Sequence, residues 1–266
     1  MIKVIVCGGC GKMGSIVARL IYQENSLELA GIIESPAHPQ NQKDWGMTVG
    51  LGNTGIMVQD DLEKIIQNAD QVVEFSNPRA SLQHLEIAVK YKKTMIVGTT
   101  GFSTEEMEKI NQLAQDIPFL LSPNMSLGVN LLFKLVTEAV AILSDDYDIE
   151  IIEAHHRFKK DAPSGTAKKL AQIIAQTKGA KLNEVAIYGR EGIIGERRRG
   201  EIGIHSLRGG DIAGEHTVLF TTLGESLELT HKAHSRDTFA YGTLQAIKFM
   251  QGKPAGFYTM KDVLKI

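Results

Sequence analysis

The chain has 266 residues, of which 43% are hydrophobic and 23% are charged, and its formal net charge is −2. This composition is typical of a globular protein with room for two domains, and the weak net charge argues against nucleic acid or an anionic membrane as the main partner. No apolar run reaches the length of a membrane span and the first residues lack a signal-peptide layout, so we expect a cytoplasmic protein with no membrane partner.

The first predicted strand, residues 2–6, runs directly into a glycine-rich loop. Gly9, Gly11 and Gly14 fit the G-x-G-x-x-G pattern, an amphipathic helix follows, and a second apolar strand ends at Glu34. In dinucleotide-binding folds the glycines admit the pyrophosphate, the helix start offers its N–H groups, and the acid accepts hydrogen bonds from a ribose hydroxyl. The spacing therefore predicts a dinucleotide site, with a glycine turn in another kind of βαβ unit as the alternative.

The only cysteines, Cys7 and Cys10, form a C-x-x-C pair around this loop. Such pairs occur in redox motifs and in half zinc sites. No second pair and no histidine lie nearby in the sequence, so we interpret both cysteines as small residues in a tight turn.

Strands alternate with helices through the rest of the first half. The predicted strands cover residues 2–6, 27–33, 71–75, 94–97 and 118–121. One helix is predicted from Pro78 to about residue 91, and another follows Ser103, which can form a capping box with Glu106. This order predicts an α/β fold with a Rossmann-like, doubly wound parallel sheet, whose ligands bind beyond the carboxyl ends of the strands. Two loops at such ends, 98–102 and 122–126, are candidates for cofactor contact, although turn chemistry alone would explain their threonines and asparagine.

From residue 147 onwards strand-like segments dominate. They cover residues 149–154, 185–188, 202–207, 216–222 and 227–231, with one clear helix over 166–177. Several alternate apolar and polar residues, which predicts a second α+β domain with a mixed, open sheet covered on one face. A last helix, capped by Ser235 or Asp237, reaches Met250. We expect a dinucleotide-binding domain at 1–125, completed by 237–266, and a substrate-binding and oligomerisation domain at 126–236.

The most informative segment runs from Glu153 to Thr166 and contains His155, His156 and Lys159, followed by Pro-Ser-Gly-Thr. Histidine is the usual general acid–base residue near neutral pH, and the N-terminus of the following helix favours an anion. The segment therefore predicts a site that binds a small carboxylate and moves a proton. Zinc binding by Glu153, His155 and His156 is one alternative, but adjacent histidines rarely converge on one ion, so we expect no metal. A polar loop before an ordinary capped helix is the other alternative.

The chain resembles the 4-hydroxy-tetrahydrodipicolinate reductase (dihydrodipicolinate reductase) family over essentially its whole length. The match is closest at residues 153–167. Other matching segments are 8–14, 97–102, 124–130, 190–192 and 208–216. The resemblance implies a nicotinamide-dependent reductase of diaminopimelate and lysine biosynthesis, which transfers hydride to ring carbon 4 of a cyclic dicarboxylate with loss of water. It also implies a homotetramer assembled through the sheets of the second domain.

The resemblance also implies roles for individual residues. By position, His155 is the proton donor or acceptor, Lys159 is a proton donor, and His156, Gly165 and Thr166 bind substrate. The residues implied to hold the cofactor are Gly8, Gly9, Cys10, Gly11, Lys12, Met13, Glu34, Gly98, Thr99, Thr100, Ser122, Pro123, Asn124 and Met125.

Cofactor preference depends on the residue after Glu34. Many family members have arginine there, which suits the 2′-phosphate of NADP, whereas this chain has Ser35. We therefore expect NADH to be preferred and NADPH to be a weaker alternative, with Lys12 or His38 as a partial substitute for the arginine.

Two other functions compete with this interpretation. One is another two-domain nicotinamide enzyme, such as an amino-acid or sugar dehydrogenase, and residues 153–166 argue against it. The other is a non-catalytic NAD-sensing regulator, which would require a basic DNA-binding segment that the sequence lacks.

Overall fold

The computed structural model describes residues 1–143 and 145–266, which form two compact units. The first comprises Met1–Leu127 and Arg236–Lys265, and the second Gly128–Ser235 with Ile266. The C-terminal segment thus returns to the first unit. Across the described residues, every helix is too short or too polar to span a lipid bilayer.

Twelve strands and nine helices are named here in chain order. The strands are β1 (Ile2–Cys7), β2 (Leu27–Ile33), β3 (Val58–Gln59), β4 (Gln71–Glu74), β5 (Thr94–Val97), β6 (Pro118–Leu121), β7 (Asp148–His155), β8 (Ala186–Tyr188), β9 (Ile202–Arg208), β10 (Gly214–Thr222), β11 (Glu225–Ala233) and β12 (Gly256–Tyr258). The helices are α1 (Gly14–Gln23), α2 (Trp45–Val49), α3 (Pro78–Lys90), α4 (Thr104–Leu113), α5 (Leu127–Ile142), α6 (Gly165–Thr177), α7 (Leu182–Val185), α8 (Asp237–Met250) and α9 (Met260–Leu264).

Seven parallel strands form the sheet of the first unit, in the order β12-β6-β5-β4-β1-β2-β3. Successive residues of β1 point to opposite faces. Val4 and Val6 join a core that includes residues of α1 and α8, while Ile5 and Cys7 join a second core with α3 and α4. Because both faces are covered, the strands read as continuous apolar runs in the sequence. The predicted Rossmann-like, doubly wound parallel sheet is confirmed.

The second unit has a five-stranded sheet in the order β11-β10-β7-β9-β8. Strand β7 pairs antiparallel with β10 and parallel with β9, so the sheet is mixed, as predicted. One face buries residues such as Ile149 and Ile151 against α5 and α6. On the other face, Ile152 is 39% and Leu207 is 51% exposed. The α+β prediction of a sheet covered on one face is confirmed within this unit.

Helix α5 is absent from the predicted elements, and this is the largest correction. Its buried residues do recur at helical spacing. However, its outer face also carries leucines, with Leu131 45% and Leu135 44% exposed. Apolar residues on both faces remove the contrast that marks an amphipathic helix, so the periodicity is hidden in the sequence.

Smaller corrections concern element ends. The strand predicted over 185–188 begins at Ala186, because Val185 closes the short helix α7. Strands β10 and β11 are longer than predicted, because their antiparallel pairing continues from Gly214 opposite Ala233 to the turn. Helix α8 begins at Asp237 after Arg236, whose side chain makes no capping hydrogen bond, so neither predicted cap residue occupies the N-cap position.

Two predicted helix starts follow local side-chain chemistry. The capping box of Ser103 and Glu106 at α4 is present as predicted. Helix α6 begins one residue earlier than predicted, because Ser164 is its N-cap and accepts a hydrogen bond from the Ala167 N–H.

Candidate functional site

Strand β7 extends the covered face of the second unit's sheet into a polar site. Its residues alternate between faces, so Glu153 and His155 continue the row of Ile149 and Ile151 beyond the apolar core. The strand register places His216 of β10 opposite Glu153, and Arg208 of β9 beside His155. Three strands thus bring two imidazoles, a carboxylate and a guanidinium together.

Glu153 is fully buried, and several donors converge on its carboxylate. His155 Nδ1 lies 2.6 Å from Oε2, Arg208 donates to both oxygens at 2.8 Å, and the Ser164 N–H donates to Oε1 at 3.1 Å. Burial opposes ionisation of Glu153, but hydrogen bonds from Arg208, His155 and Ser206 outweigh it and lower its pKa to about 2. An ionised carboxylate therefore links β7, β9 and the start of α6 at neutral pH.

His155 is largely enclosed and packs edge-on against His216, with ring centroids 5.2 Å apart. Burial lowers the pKa of His155, and the hydrogen bond to Glu153 offsets part of this effect. The nearby positive charges of Lys159 and Arg208 act in the same direction as burial. The free protein therefore favours the neutral imidazole at neutral pH.

His216 is a site residue that the sequence predictions missed. It is buried, and its Nε2 lies 2.9 Å from the hydroxyl of Ser164, the N-cap of α6. Burial lowers the pKa of His216 to about 3, so its ring is neutral at physiological pH. The signal available in the sequence was its place in the inward-facing row of β10, which only the strand register connects to Glu153.

The loop after β7 carries the other predicted catalytic residue. The Nζ of Lys159 lies 2.9 Å from the carboxylate of Asp161, and its N–H donates to the carbonyl of His156 at 3.1 Å. Arg208 also donates to the carbonyl of Asp161 at 2.7 Å, so one guanidinium holds both Glu153 and this loop. A cis peptide bond joins Ala162 to Pro163 just before the N-cap of α6.

The predicted carboxylate-binding residues lie at the first turn of α6. Gly165 is exposed, and a Cβ added there would meet no described atom within 4 Å. Thr166 is half-buried beside it. Since Glu153 bonds to His155 and to the Ser164 N–H, the predicted proton carrier and this helix start are connected through one carboxylate.

A cavity of about 420 Å³ lies in the first unit, beyond the carboxyl ends of β1, β2 and β4. Of the predicted cofactor residues, Gly8, Gly11 and Glu34 line it, together with Ser35 and His38. Lining residues that the sequence did not single out are Ile33, Pro36, Asp60, Phe75, Ser76, Asn77, Ala80, Gln83 and His84.

The glycine loop beside this cavity has a backbone conformation that side chains at Gly8 and Gly14 would prevent. Gly8 has φ +75°, and a Cβ on Gly14 would lie 2.0 Å from the Gly8 carbonyl oxygen. The loop is closed by the Gly11 N–H, which donates to that oxygen at 3.0 Å. Glu34 accepts a hydrogen bond from the Cys10 N–H at 2.7 Å, which fixes the acid against the loop. These residues fit a dinucleotide, because they combine a close backbone approach, a helix start and a fixed ribose acceptor.

The other predicted cofactor residues do not line this cavity. They are Gly9, Cys10, Lys12, Met13, Gly98, Thr99, Thr100, Ser122, Pro123, Asn124 and Met125. The loop after β5 is packed locally, with the Ser81 hydroxyl 3.0 Å from that of Thr99. The loop after β6 is closed by the Ser122 hydroxyl, which donates to the Asn124 carbonyl at 2.7 Å. Both loops follow carboxyl ends of strands in the same sheet.

The sequence predictions also missed a cluster of Cys7, Glu74 and His84, of which Cys7 and Glu74 are buried. Each residue has one potential metal-ligand atom, and these atoms lie within 4.8 Å of one another. Glu74 lies 2.5 Å from His84 Nδ1 and accepts from the Ser76 N–H at 2.8 Å. Burial and the neighbouring carboxylate raise the pKa of the Cys7 thiol well above its usual value, so it is protonated. Hydrogen bonding thus accounts for the cluster. Cys7 ends β1, which corrects its predicted place in a turn.

Comparisons with known proteins agree over the full length. The models named "Dihydrodipicolinate reductase, N-terminus" and "Dihydrodipicolinate reductase, C-terminus" match residues 2–125 and 128–264. A 4-hydroxy-tetrahydrodipicolinate reductase of Syntrophus aciditrophicus (strain SB) is 50% identical over 264 residues, covering 99% of this chain and 98% of that protein. One from Trichlorobacter lovleyi is 46% identical over 266 residues, covering 99% of both.

Among solved structures, a dipicolinate-bound dihydrodipicolinate reductase from Paenisporosarcina sp. TG-14 has a TM-score of 0.79 at 24% identity, covering 98% of each chain. That structural similarity shows a shared fold, whereas the family models and the 50% identical relative establish family membership. The resemblance seen in the sequence is confirmed, and the chain belongs to the dihydrodipicolinate reductase family.

Proposed function

We propose that this chain reduces 4-hydroxy-tetrahydrodipicolinate to tetrahydrodipicolinate, with loss of water and a reduced nicotinamide as the electron source, in diaminopimelate and lysine biosynthesis. A relative with half of its residues in common over the full length bears the name of that activity. The observation that carries the proposal is the buried Glu153, which joins His155 to the start of α6. A proton carrier and a carboxylate-binding helix start in one site suit a cyclic dicarboxylate.

The first turn of α6 supports binding of one substrate carboxylate. The N–H groups of a helix start point outward and, together with the helix dipole, favour an anion there, and the exposed Gly165 leaves the approach open. Thr166 is the next residue of the helix, and His156 directly follows β7. Lys159 is paired with the exposed Asp161, and such surface pairs are worth only about 0–1 kcal/mol. A substrate carboxylate can therefore displace Asp161 from Lys159 at little cost.

His155 is proposed to deliver the proton that completes the reduction. Loss of the 4-hydroxyl group as water, together with a proton from the neighbouring ring carbon, gives a conjugated ring. A bound reduced nicotinamide would supply hydride to carbon 4 of that ring, and the displaced electron pair leaves negative charge on it. The imidazolium of His155 can quench this charge from Nε2, because its Nδ1 is held by Glu153. Burial disfavours that imidazolium in the free protein, but a bound dianion next to it raises its pKa again. Lys159 offers a second proton.

We propose NADH as the preferred cofactor. Glu34 is fixed by the Cys10 N–H and can accept hydrogen bonds from the ribose hydroxyls of NADH. Asp60 lies in the same cavity wall, and among the described residues that line it there is no lysine or arginine. A 2′-phosphate would thus meet two carboxylates, and the basic side chains among the described lining residues are the imidazoles of His38 and His84.

A homotetramer assembled through the uncovered face of the second sheet is part of the proposal, as is a cytoplasmic location. Ile152 and Leu207 give that face an apolar character that suits contact with another subunit. Analytical ultracentrifugation of the purified chain tests the assembly, and a monomer at micromolar concentration would contradict it.

A coupled assay tests the activity itself. The substrate is generated in situ by the preceding synthase, and oxidation of NADH or NADPH is followed by absorbance, with a control that lacks the synthase. We expect rapid oxidation only when synthase and this chain are both present. No oxidation with either cofactor would refute the proposed function. Oxidation of amino acids or sugars with NAD would instead favour the alternative of an amino-acid or sugar dehydrogenase.

A further inference from the structure

We infer that Glu153 is a positioning residue that sets the tautomer of His155 and fixes the start of α6 with the same carboxylate. The inference rests on the proposed function for its meaning in catalysis, although its geometric part can be tested without it. Oε2 faces His155 Nδ1 at 2.6 Å, while Oε1 accepts the Ser164 N–H at 3.1 Å. One oxygen therefore contacts the imidazole of His155, and the other holds the start of α6.

An ionised carboxylate can only accept hydrogen bonds, so the Nδ1 of His155 must carry the proton that points at Oε2. In the neutral ring the lone pair is then left on Nε2, which becomes the atom that gains and loses a proton. The charged groups around this ring are Glu153, Arg208 and Lys159, and His216 packs against it as a neutral ring. Arg208, which donates to both carboxylate oxygens, keeps Glu153 ionised.

Replacement of Glu153 by glutamine gives a specific expectation. An amide NH₂ at the Oε1 position would face two donors, the Ser164 N–H and Arg208 Nη2. At the Oε2 position it would face Arg208 Nη1 and His155 Nδ1, and the imidazole can adapt by switching tautomer. The second arrangement has one clash instead of two and is therefore favoured. Glu153→Gln should put the proton of neutral His155 on Nε2 and leave the contact to α6 intact.

The chain supplies a matched control on the same strand. Glu150 also accepts hydrogen bonds from two arginines and a histidine, Arg190, Arg197 and His205. Burial opposes its ionisation, and these hydrogen bonds likewise lower its pKa to about 2. It belongs to the opposite face of β7, away from His155. Glu150→Gln therefore removes a similar carboxylate from outside the proposed catalytic site. Because this opposite face is the one proposed for assembly, analytical ultracentrifugation of the variant verifies that its oligomeric state is that of wild type.

The first experiment compares kcat and KM of wild type, Glu153→Gln, Glu153→Ala and Glu150→Gln in the coupled assay. For Glu153→Gln we expect kcat to fall about 10- to 100-fold, part of what general acid–base catalysis contributes, with KM for the substrate little changed. Glu153→Ala also removes the acceptor of the Ser164 N–H, so its KM should rise as well. Glu150→Gln should keep the wild-type kcat.

The second experiment reads the tautomer directly by NMR of ¹³C,¹⁵N-histidine-labelled protein, with His155 assigned from the spectrum of His155→Gln. Wild type should show the Nδ1–H form and Glu153→Gln the Nε2–H form. Should Glu153→Gln fail to fold, Arg208→Gln provides a second test. Arg208 lowers the pKa of His155 and Glu153 raises it. The descending limb of kcat/KM should therefore move to higher pH in Arg208→Gln and to lower pH in Glu153→Gln.

Several outcomes would overturn the inference. They are an Nε2–H ring in wild type, an unchanged tautomer or kcat in Glu153→Gln, and a loss of kcat in Glu150→Gln that matches it. A wild-type protein that does not turn over the substrate would refute the proposed function instead, since the tautomer measurement needs no turnover.

Discussion

Gly214 leaves open the space beside the Nε2 atom of His155: a Cβ built on this glycine would lie 3.1 Å from that nitrogen. The two residues sit on neighbouring strands, β10 and β7, and face the same side of the sheet. The position of this nitrogen, which is proposed to carry the proton, thus depends on the absence of a side chain at Gly214.

Gly214→Ala should therefore impair turnover. The added methyl group is closer to Nε2 than ordinary van der Waals contact allows, so the ring of His155 must shift by a few tenths of an ångström. We expect kcat to fall about tenfold, because small misplacements of a catalytic group are costly, while the Kd of NADH stays unchanged. Gly209→Ala is the matched control, since a Cβ there meets no described atom within 4 Å. Equal kcat values for the two variants would contradict this role of Gly214.

The pH dependence of turnover should reflect the environment of His155. Burial lowers its pKa below the ordinary value of 6.5, and the proposed mechanism requires its protonated form. As the pH rises through that lowered pKa, kcat/KM should fall, because this parameter reports the free enzyme. The descending limb of kcat should lie at higher pH, since the bound dianion stabilises the imidazolium. A kcat/KM that rises with pH between 5 and 7 would assign His155 the role of a base instead.

Gly165 allows a clean test of the anion site. Its Cβ position is open, so Gly165→Val should leave packing intact and affect chiefly a ligand that approaches the helix start. The KM for the substrate should rise at least about tenfold, with less change in kcat. In wild type, pyridine-2,6-dicarboxylate should compete with the substrate, because it offers the same two carboxylates. Failure to compete at millimolar concentration would show that substrate is bound elsewhere.

The residues that line the proposed cofactor cavity predict a modest preference for NADH. Glu34 and Asp60 line the cavity, and a like-charge contact of a 2′-phosphate with either costs about 1 kcal/mol or more, which is several-fold in affinity. Ser35→Arg should shift the kcat/KM ratio towards NADPH, because a guanidinium matches phosphate geometry. Ser35→Gln is the uncharged control. A strong preference of wild type for NADPH would mean that Lys12, His38 or another group dominates the pocket.

Much of the first unit could be predicted because its signals are local. Buried parallel strands read as short apolar runs, and Ser103 with Glu106 marks a helix start within four residues. The short elements between residues 45 and 59 were missed, since β3 has two residues and exists through its pairing with β2. Such elements are determined by tertiary contacts that no local pattern contains.

The site was predictable only in part. The residues 153–166 identified His155 and the helix start by their chemistry, but the role of Glu153 depends on Arg208, which is 55 residues away in the sequence. His216 was likewise hidden, because strand register brings it to the site. His84 was hidden as well, because packing against Glu74 brings it to the cavity wall. Hydrogen bonds to buried charges from residues far apart in the sequence produce no motif with a recognisable spacing.

The most direct test of the account is the kcat of His155→Gln in the coupled assay, measured beside the Kd of NADH. Glutamine keeps a hydrogen-bonding side chain of similar length but cannot deliver a proton at neutral pH. We predict a kcat reduced by about 10²–10⁴ with the Kd of NADH nearly unchanged, because the described residues that line the proposed cofactor cavity all belong to the first unit. A kcat within about threefold of wild type would contradict the assignment of His155 as the proton carrier.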